Sequence, residues 1–310
     1  MIPVLIDCDP GQDDAIALLF ALASPELDVL GVTTVAGNQT LDKTTTNALR
    51  VLELAGREDI PVAAGADRPL ARELVTAGDA HGETGLDGPN LPPPRTRAVE
   101  EHAVDFLGER VEGRTLVALG PLTNVARLLE ERPGRPERIV LMGGAIREGN
   151  QTPSAEFNVW ADPEAADRVF RSGLDVTMVG LDVTNRTVLT REDAEGLREN
   201  GPVAVAAAAM LDHYLDFYLG AYDHGGAPIH DAVPVAHLIR PGLVETVERR
   251  VEVDRSGGLC RGRTVVDMRR RIALPTPNAR VAVDVDVEGF RKLLLERLAN
   301  FPSGRASGPD

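Results

Sequence analysis

The chain has 310 residues, with 33 Lys+Arg against 48 Asp+Glu and a formal charge of −15; this acid balance repels phosphate backbones and anionic bilayers, and argues against nucleic-acid or membrane binding. At 43% hydrophobic and 26% charged residues, the composition is that of a globular chain with a sizeable core, which excludes disorder over most of its length. Lys43 and Lys292 are the only lysines, so a mechanism built on a central lysine has almost nowhere to put it.

From the N-terminus, short β-branched apolar runs alternate with helical patterns. Residues 3–8 read as a buried strand, 13–23 as a helix, 27–36 as a strand and 41–55 as a helix. Further strands are predicted over 115–119, 138–142 and 174–181, with helices over 98–111, 122–131 and 163–171. Alternation at this spacing predicts an α/β fold, an open and largely parallel central sheet covered by helices on both faces. The Pro/Gly-rich stretch 78–94 is followed by the same alternation, so residues 1–301 are expected to form one domain and 302–310 a flexible tail. After about residue 185 helices over 194–199, 202–222 and 230–239 precede strands over 247–253, 263–267 and 280–285 in a small antiparallel addition. Residues 287–299 close the pattern as a helix. Two cysteines, Cys8 and Cys260, are too few for a disulfide framework or a thiolate metal site. With no basic leader and no long apolar run, a soluble cytoplasmic protein is expected.

The chemistry concentrates in the segment 4–14, VLIDCDPGQDD. A buried strand runs into Asp7 and Asp9, Pro10-Gly11 turns the chain, and Asp13-Asp14 open a helix, which puts the acids at the carboxyl edge of a parallel sheet, where ligands bind. Four carboxylates within eight residues repel one another, and a helix N-terminus offsets this only in part. A cation resolves the conflict, and an all-oxygen ligand set suits Ca²⁺ or Mg²⁺ rather than zinc. The plainer alternative is helix capping by Asp13 or Asp14, with Asp7 bonded to nearby amides; four acids exceed what one helix start can use. A further acid is needed from elsewhere, and Asp231 beside His230, at another apparent helix start, is the best candidate.

DCDPGQDDA at 7–15, TTVAGNQT at 33–40, AGDAHGETG at 77–85, GPLTN at 120–124, MGGA with EGN within 142–150, AEFN at 155–158 and HD at 230–231 follow one another in the order seen in nucleoside hydrolases. The chain resembles the inosine–uridine-preferring type of that family. The resemblance implies Ca²⁺-dependent hydrolysis of an N-ribosyl bond, with the ion on Asp9, Asp14, Asp231 and the backbone carbonyl of Leu119. It implies Asp9 as general base, Asn38 as a holder of the water or of the aspartates, and His230 as the general acid that protonates the leaving base. Asp13, Asn150, Glu156 and Asn158 match the ribose-binding group, and His81 a second histidine near base or ribose. For the loop residues the plainer readings are Asn at turn positions and an exposed histidine. Resemblance also implies a homo-oligomer, a dimer or tetramer, acting on a small-molecule nucleoside.

All three tyrosines, Tyr214, Tyr218 and Tyr222, recur at every fourth residue and so form one stripe on a helix. Such a stripe is usually core packing. Flanked by His213 and His224 and followed by Gly225-Gly226, it is read here as a mobile lid in which Tyr218 and Tyr222 close on the nucleobase. Gln12 departs from the family pattern, at a position often apolar, and is expected to touch the edge of a loop. Two rival functions remain at this level. One is a Mg²⁺-dependent phosphohydrolase using Asp7-Cys8-Asp9 as an aspartate-nucleophile motif, a chemistry that also wants a lysine on the phosphoryl group. The other is a non-catalytic ribose- or nucleoside-binding protein.

Overall fold

The structure is a computed structural model that describes residues 1–221, 225–269 and 275–302. Strand β1 (Ile2–Cys8) feeds α1 (Gln12–Leu22), β2 (Leu27–Thr34) feeds α2 (Leu41–Leu54), and β3 (Val62–Ala64) leads through the short α3 (Gly78–His81) to α4 (Ala103–Arg110). There follow β4 (Thr115–Ala118), α5 (Thr123–Glu131), β5 (Arg138–Met142), α6 (Phe157–Ala161), α7 (Pro163–Phe170), β6 (Asp175–Val179) and α8 (Leu181–Thr184). The remainder comprises β7 (Val188–Leu189), α9 (Arg191–Leu197), α10 (Pro202–Ala221), β8 (Ala227–Pro228), α11 (Ala232–Ile239), β9 (Val244–Arg249), β10 (Val251–Val253), β11 (Thr264–Val266), β12 (Ala279–Val285) and α12 (Val287–Ala299).

The main sheet has the order β3-β2-β1-β4-β5-β6-β12-β9. Every neighbouring pair in it is parallel except β12 with the edge strand β9. Side chains alternate across this sheet as a two-residue period requires. Val4, Ile6 and Cys8 of β1 face the layer of α1, α2 and α9–α12, whereas Leu5 faces α4, α5 and α7. The order reverses between β1 and β4, and the crevice at that switch point, at the carboxyl ends of both strands, is where an open α/β sheet binds its ligand.

The expected α/β architecture is observed, with three local differences. The run 247–253 divides into β9 and β10, because the Asn278 side chain takes both backbone groups of Val251: its Oδ1 accepts from the amide at 2.7 Å and its Nδ2 donates to the carbonyl at 2.9 Å. β10 therefore leaves the β12 ladder and pairs antiparallel with β11, so the small addition is this hairpin, while β9 and β12 extend the main sheet. The helix expected over 98–111 starts at Ala103, where His102 Nδ1 accepts from Val104 N. The elements not anticipated, β3, β7, β8, α3, α6 and α8, span two to five residues each, too few to show a period. Residues 303–310 of the expected tail lie outside the described residues. Among the described residues no helix is long and apolar enough to cross a membrane.

One buried amide ties the carboxyl ends of three neighbouring strands together. Asn124 Nδ2 donates to Asp7 Oδ1 at 2.8 Å and to the Thr34 carbonyl at 3.0 Å, and its Oδ1 accepts from Ala66 N at 2.8 Å. Asn124→Ala leaves the Ala66 amide buried without its partner and takes one donor each from Asp7 Oδ1, which keeps Thr33, and the Thr34 carbonyl, which keeps Gly65 N; it is expected to lower stability by about 2 kcal/mol, read from the urea midpoint at constant m-value. A loss under about 1 kcal/mol would show that water or repacking replaces the amide.

Candidate active site

At the switch point a cavity opens between the ends of β1 and β4. Asp13, Asn38, His81, Leu119, Asn150, Glu156, Asn158, Tyr214, Tyr218, His230 and Asp231 all line it. Asp9 and Asp14 lie beneath its floor, at 1% and 0% exposure. Among the described residues the lining contains no Lys or Arg. Lys43 is held away by Gln39 Oε1 and the Glu83 carbonyl, so no lysine stands ready for a phosphoryl group.

Each carboxylate is positioned by backbone and amide groups. Asp9 accepts from Asn38 N at 2.7 Å, and its carboxylate fits only because residues 37 and 120 are glycines: a Cβ at either would overlap it. Asp14 accepts from the amides of Asp9 and Gly11, both at 3.1 Å, and from Asn38 Nδ2 at 3.0 Å. The capping role is therefore real for Asp14, whose carboxylate takes the amide of the N-cap residue Gly11. Asp231 is the residue before α11 but makes no side-chain capping bond. Its carboxyl instead lies beside that of Asp14, a neighbour that disfavours both being ionised together.

The electrostatics are those of buried acids without a counter-charge. Burial first, and Asp14 second, raise Asp13 from 3.8 to about 8 and lift Asp9 well above the ordinary carboxylate range. Burial, followed by the charges of Asp13, Asp14 and Asp9, does the same to Asp231. One oxygen each of Asp13, Asp14 and Asp231 lies within 4.8 Å of the other two, a group that could hold a metal ion. The donor chemistry fits a hard divalent cation: oxygens only, in excess of what neighbouring amides satisfy. The Leu119 carbonyl accepts from Asn158 Nδ2 at 2.6 Å and retains a second lone pair. Asp9, expected among the ligands, stands outside that closest trio, and Asp13, expected only at ribose, stands inside it. Asp13 also accepts from the Tyr214 hydroxyl.

The walls divide by role. Glu156 is the N-cap of α6: its oxygens accept from the amides of Asn158, Gly144 and Val159 at 2.8, 2.8 and 3.1 Å, and burial raises it to about 6. It thus presents negative potential more than free lone pairs. Asn150, at the mouth, accepts from Phe157 N at 2.9 Å. His230 is buried; its Nε2 is 2.9 Å from the Tyr218 hydroxyl and its Nδ1 is 2.8 Å from Thr184 Oγ1. Tyr218 sits in the regular part of α10 at 7% exposure, packed edge-on to Tyr214, so it forms a wall of the cavity. Tyr222 lies outside the described residues. His81 is buried against Tyr214, which removes the exposed-loop reading. Gln12 reaches the loop as expected, bonding the carbonyls of His81 and Asp87.

A sequence profile described as inosine-uridine preferring nucleoside hydrolase matches residues 4–292. The chain belongs to this family. The pyrimidine-specific ribonucleoside hydrolase RihA of Citrobacter koseri is 50% identical over 311 residues, covering 97% of this chain and 99% of that protein. RihA of Photobacterium profundum is 50% identical over 308 residues, covering 96% and 99%. Among solved structures, a plant nucleoside hydrolase, PpNRh1, superposes with a TM-score of 0.92 at 37% identity, covering 96% of this chain and 99% of that one. A purine-preferring ribonucleoside hydrolase from Gardnerella vaginalis gives 0.90 at 34%, covering 96% and 98%. Membership of the nucleoside hydrolases sets the reaction class, hydrolysis of a ribonucleoside at its N-ribosyl bond, and the phosphohydrolase reading falls.

Sequence reasoning overlooked four supports of this site. Thr184 holds His230, and Tyr214 holds Asp13, although only its place on the tyrosine stripe hinted at that. Asn124 and Thr33 both bond Asp7 Oδ1, at 2.8 and 2.5 Å.

The raised acids predict how the metal-free protein responds to pH. Burial raises Asp7 to about 7, as it helps raise Asp13 to about 8. An acid whose folded pKa exceeds its unfolded value of 3.8 contributes in full only below that unfolded value, and the contribution is lost as pH rises from there through the folded value. Chelated protein is therefore expected to lose thermal stability between pH 6 and pH 8, and a divalent cation should raise Tm more at pH 8 than at pH 6. A chelated protein that gains stability over that range would contradict the assignment.

Proposed function

We propose that the chain is a Ca²⁺-dependent pyrimidine ribonucleoside hydrolase that releases free base and ribose. The observation that carries the reading is the meeting of Asp13, Asp14 and Asp231 within 4.8 Å at a cavity that His230 also lines. A cation held by Asp9, Asp14, Asp231 and the Leu119 carbonyl would supply Lewis acidity, lowering the pKa of water and neutralising the acids around it. Asp9, oriented by Asn38 and made more basic by burial, takes the proton of the attacking water. Asp13 accepts from a ribose hydroxyl. Asn150 and Asn158 orient the sugar, and Glu156 lends negative potential to the oxocarbenium-like ribosyl centre.

His230 and Tyr218, which both line the cavity, share a hydrogen bond at 2.9 Å. The pair presents a proton donor where the base departs, and Thr184 fixes the imidazole from behind. The aromatic wall of Tyr214, Phe217 and Tyr218 offers a surface on which a planar base can stack. Pyrimidine preference is supported by the RihA proteins at 50% identity. Homo-oligomerisation belongs to the same reading and rests on the family resemblance.

The test is turnover of uridine, cytidine, inosine, adenosine and p-nitrophenyl phosphate, with and without a chelator restored by Ca²⁺. Uridine and cytidine are expected to be cleaved best, with activity lost on chelation and regained with Ca²⁺. Asp9→Ala should lower kcat by about 10²–10⁴-fold. Binding without turnover of any nucleoside would favour the non-catalytic reading, and near wild-type activity in Asp9→Ala would remove Asp9 as base.

A further inference from the structure

His81 ends the four-residue α3, with its ring 5% exposed. It lies against the start of α1 so closely that a Cβ at residue 11 would collide with it; Gly11 makes the approach possible. On its other side it stacks on Tyr214, with ring centroids 5.5 Å apart and planes inclined by 26°. His81 also lines the cavity.

Gln12 decides which nitrogen of that ring carries the proton. The Gln12 side chain is fully buried, and its Nε2 donates to the carbonyls of His81 at 3.2 Å and Asp87 at 3.0 Å. Two acceptors consume both amide hydrogens, so the atom that meets His81 Nδ1 at 2.7 Å is Oε1. Reversing the amide would aim Oε1 at two carbonyl oxygens, which repel it. Since Oε1 has no hydrogen to give, Nδ1 must donate, and Nε2 keeps its lone pair. Burial, reinforced by His213, pushes the imidazole down to about 3, so the ring stays neutral at working pH. No described residue hydrogen-bonds Nε2.

The geometry points to Gln12 as a positioning residue that holds His81 in its Nδ1–H tautomer, so that Nε2 accepts a hydrogen bond from a donor on the bound nucleoside. The inference rests on the nucleoside-hydrolase reading of the cavity. The donor is an O–H or N–H: the ribose 5′-hydroxyl or an N–H on the edge of the base. A nucleoside without it leaves a buried acceptor unpaired, and a neutral hydrogen bond of this kind corresponds to about three- to tenfold in kcat/KM.

Two measurements test this. In ¹⁵N spectra of histidine-labelled, ligand-free protein, His81 is expected to show a protonated Nδ1 and a bare Nε2. Gln12→Leu and Gln12→Met, the second keeping the length of the side chain, should release a mixture of tautomers. A protonated Nε2 in the wild type, or unchanged tautomers in both folded variants, overturns the role of Gln12. In the kinetic arm, uridine is compared with 5′-deoxyuridine and 3-methyluridine. The wild type should discriminate about three- to tenfold against one analogue, which identifies the donor; that discrimination should vanish in His81→Phe and shrink in Gln12→Met. Equal discrimination in wild type and His81→Phe for both analogues overturns the acceptor. Wild-type uridine turnover reports separately on the underlying reading, because an inactive protein can still show the tautomer.

Discussion

Four aspartates share a space that water hardly reaches: Asp9, Asp13, Asp14 and Asp231 are each at most 5% exposed. They cannot all ionise there without a counter-charge, because burial and mutual repulsion both favour the neutral form. Much of the surrounding structure is arranged around that conflict. Amides of Asp9, Gly11 and Asn38 and the Asn38 side chain hold the carboxylates apart, and burial with mutual repulsion pushes Asp231 toward its neutral form. The arrangement costs stability in the metal-free protein and gains it back when a cation enters, which links folding to the cofactor.

Arginine could have neutralised such a cluster, but among the described residues none lines the cavity. Several pair with exposed or partly exposed carboxylates elsewhere, as in Arg57 with Asp59, Arg127 with Glu131 and Arg168 with Glu130, where ion pairs contribute little. The cavity is left with an acidic floor, an amide-rich rim and an aromatic wall. That combination suits a neutral, hydroxyl-rich ligand carrying a flat base, and disfavours the same ligand with a phosphate attached. The net charge of −15 thus has a local counterpart in the chemistry of the site.

What could be read in advance follows from how far apart the cooperating residues lie in the chain. The acidic segment 7–14 was legible because strand, turn and helix start are contiguous, and the parallel sheet was legible because its runs are long enough to show a period. The order of the strands was not, so the switch point between β1 and β4 emerges only in three dimensions. Glu156 looked like a sugar ligand and is occupied as a helix cap, since a five-residue helix such as α6 gives no periodic warning. Thr184 meets His230 across 46 positions and Asn124 meets Asp7 across 117; neither residue type announces such a partner. Gln12 was visible as a departure from the family pattern, yet its hold on His81 depends on a loop 69 positions away.

The central claim is that these buried carboxyls carry protons that a divalent cation displaces. Isothermal titration of Ca²⁺ into the chelated protein at pH 7, repeated in two buffers of different ionisation enthalpy, measures those protons directly. The account predicts binding coupled to release of roughly one proton or more per chain. Binding with no proton release, or no binding at all, would contradict it.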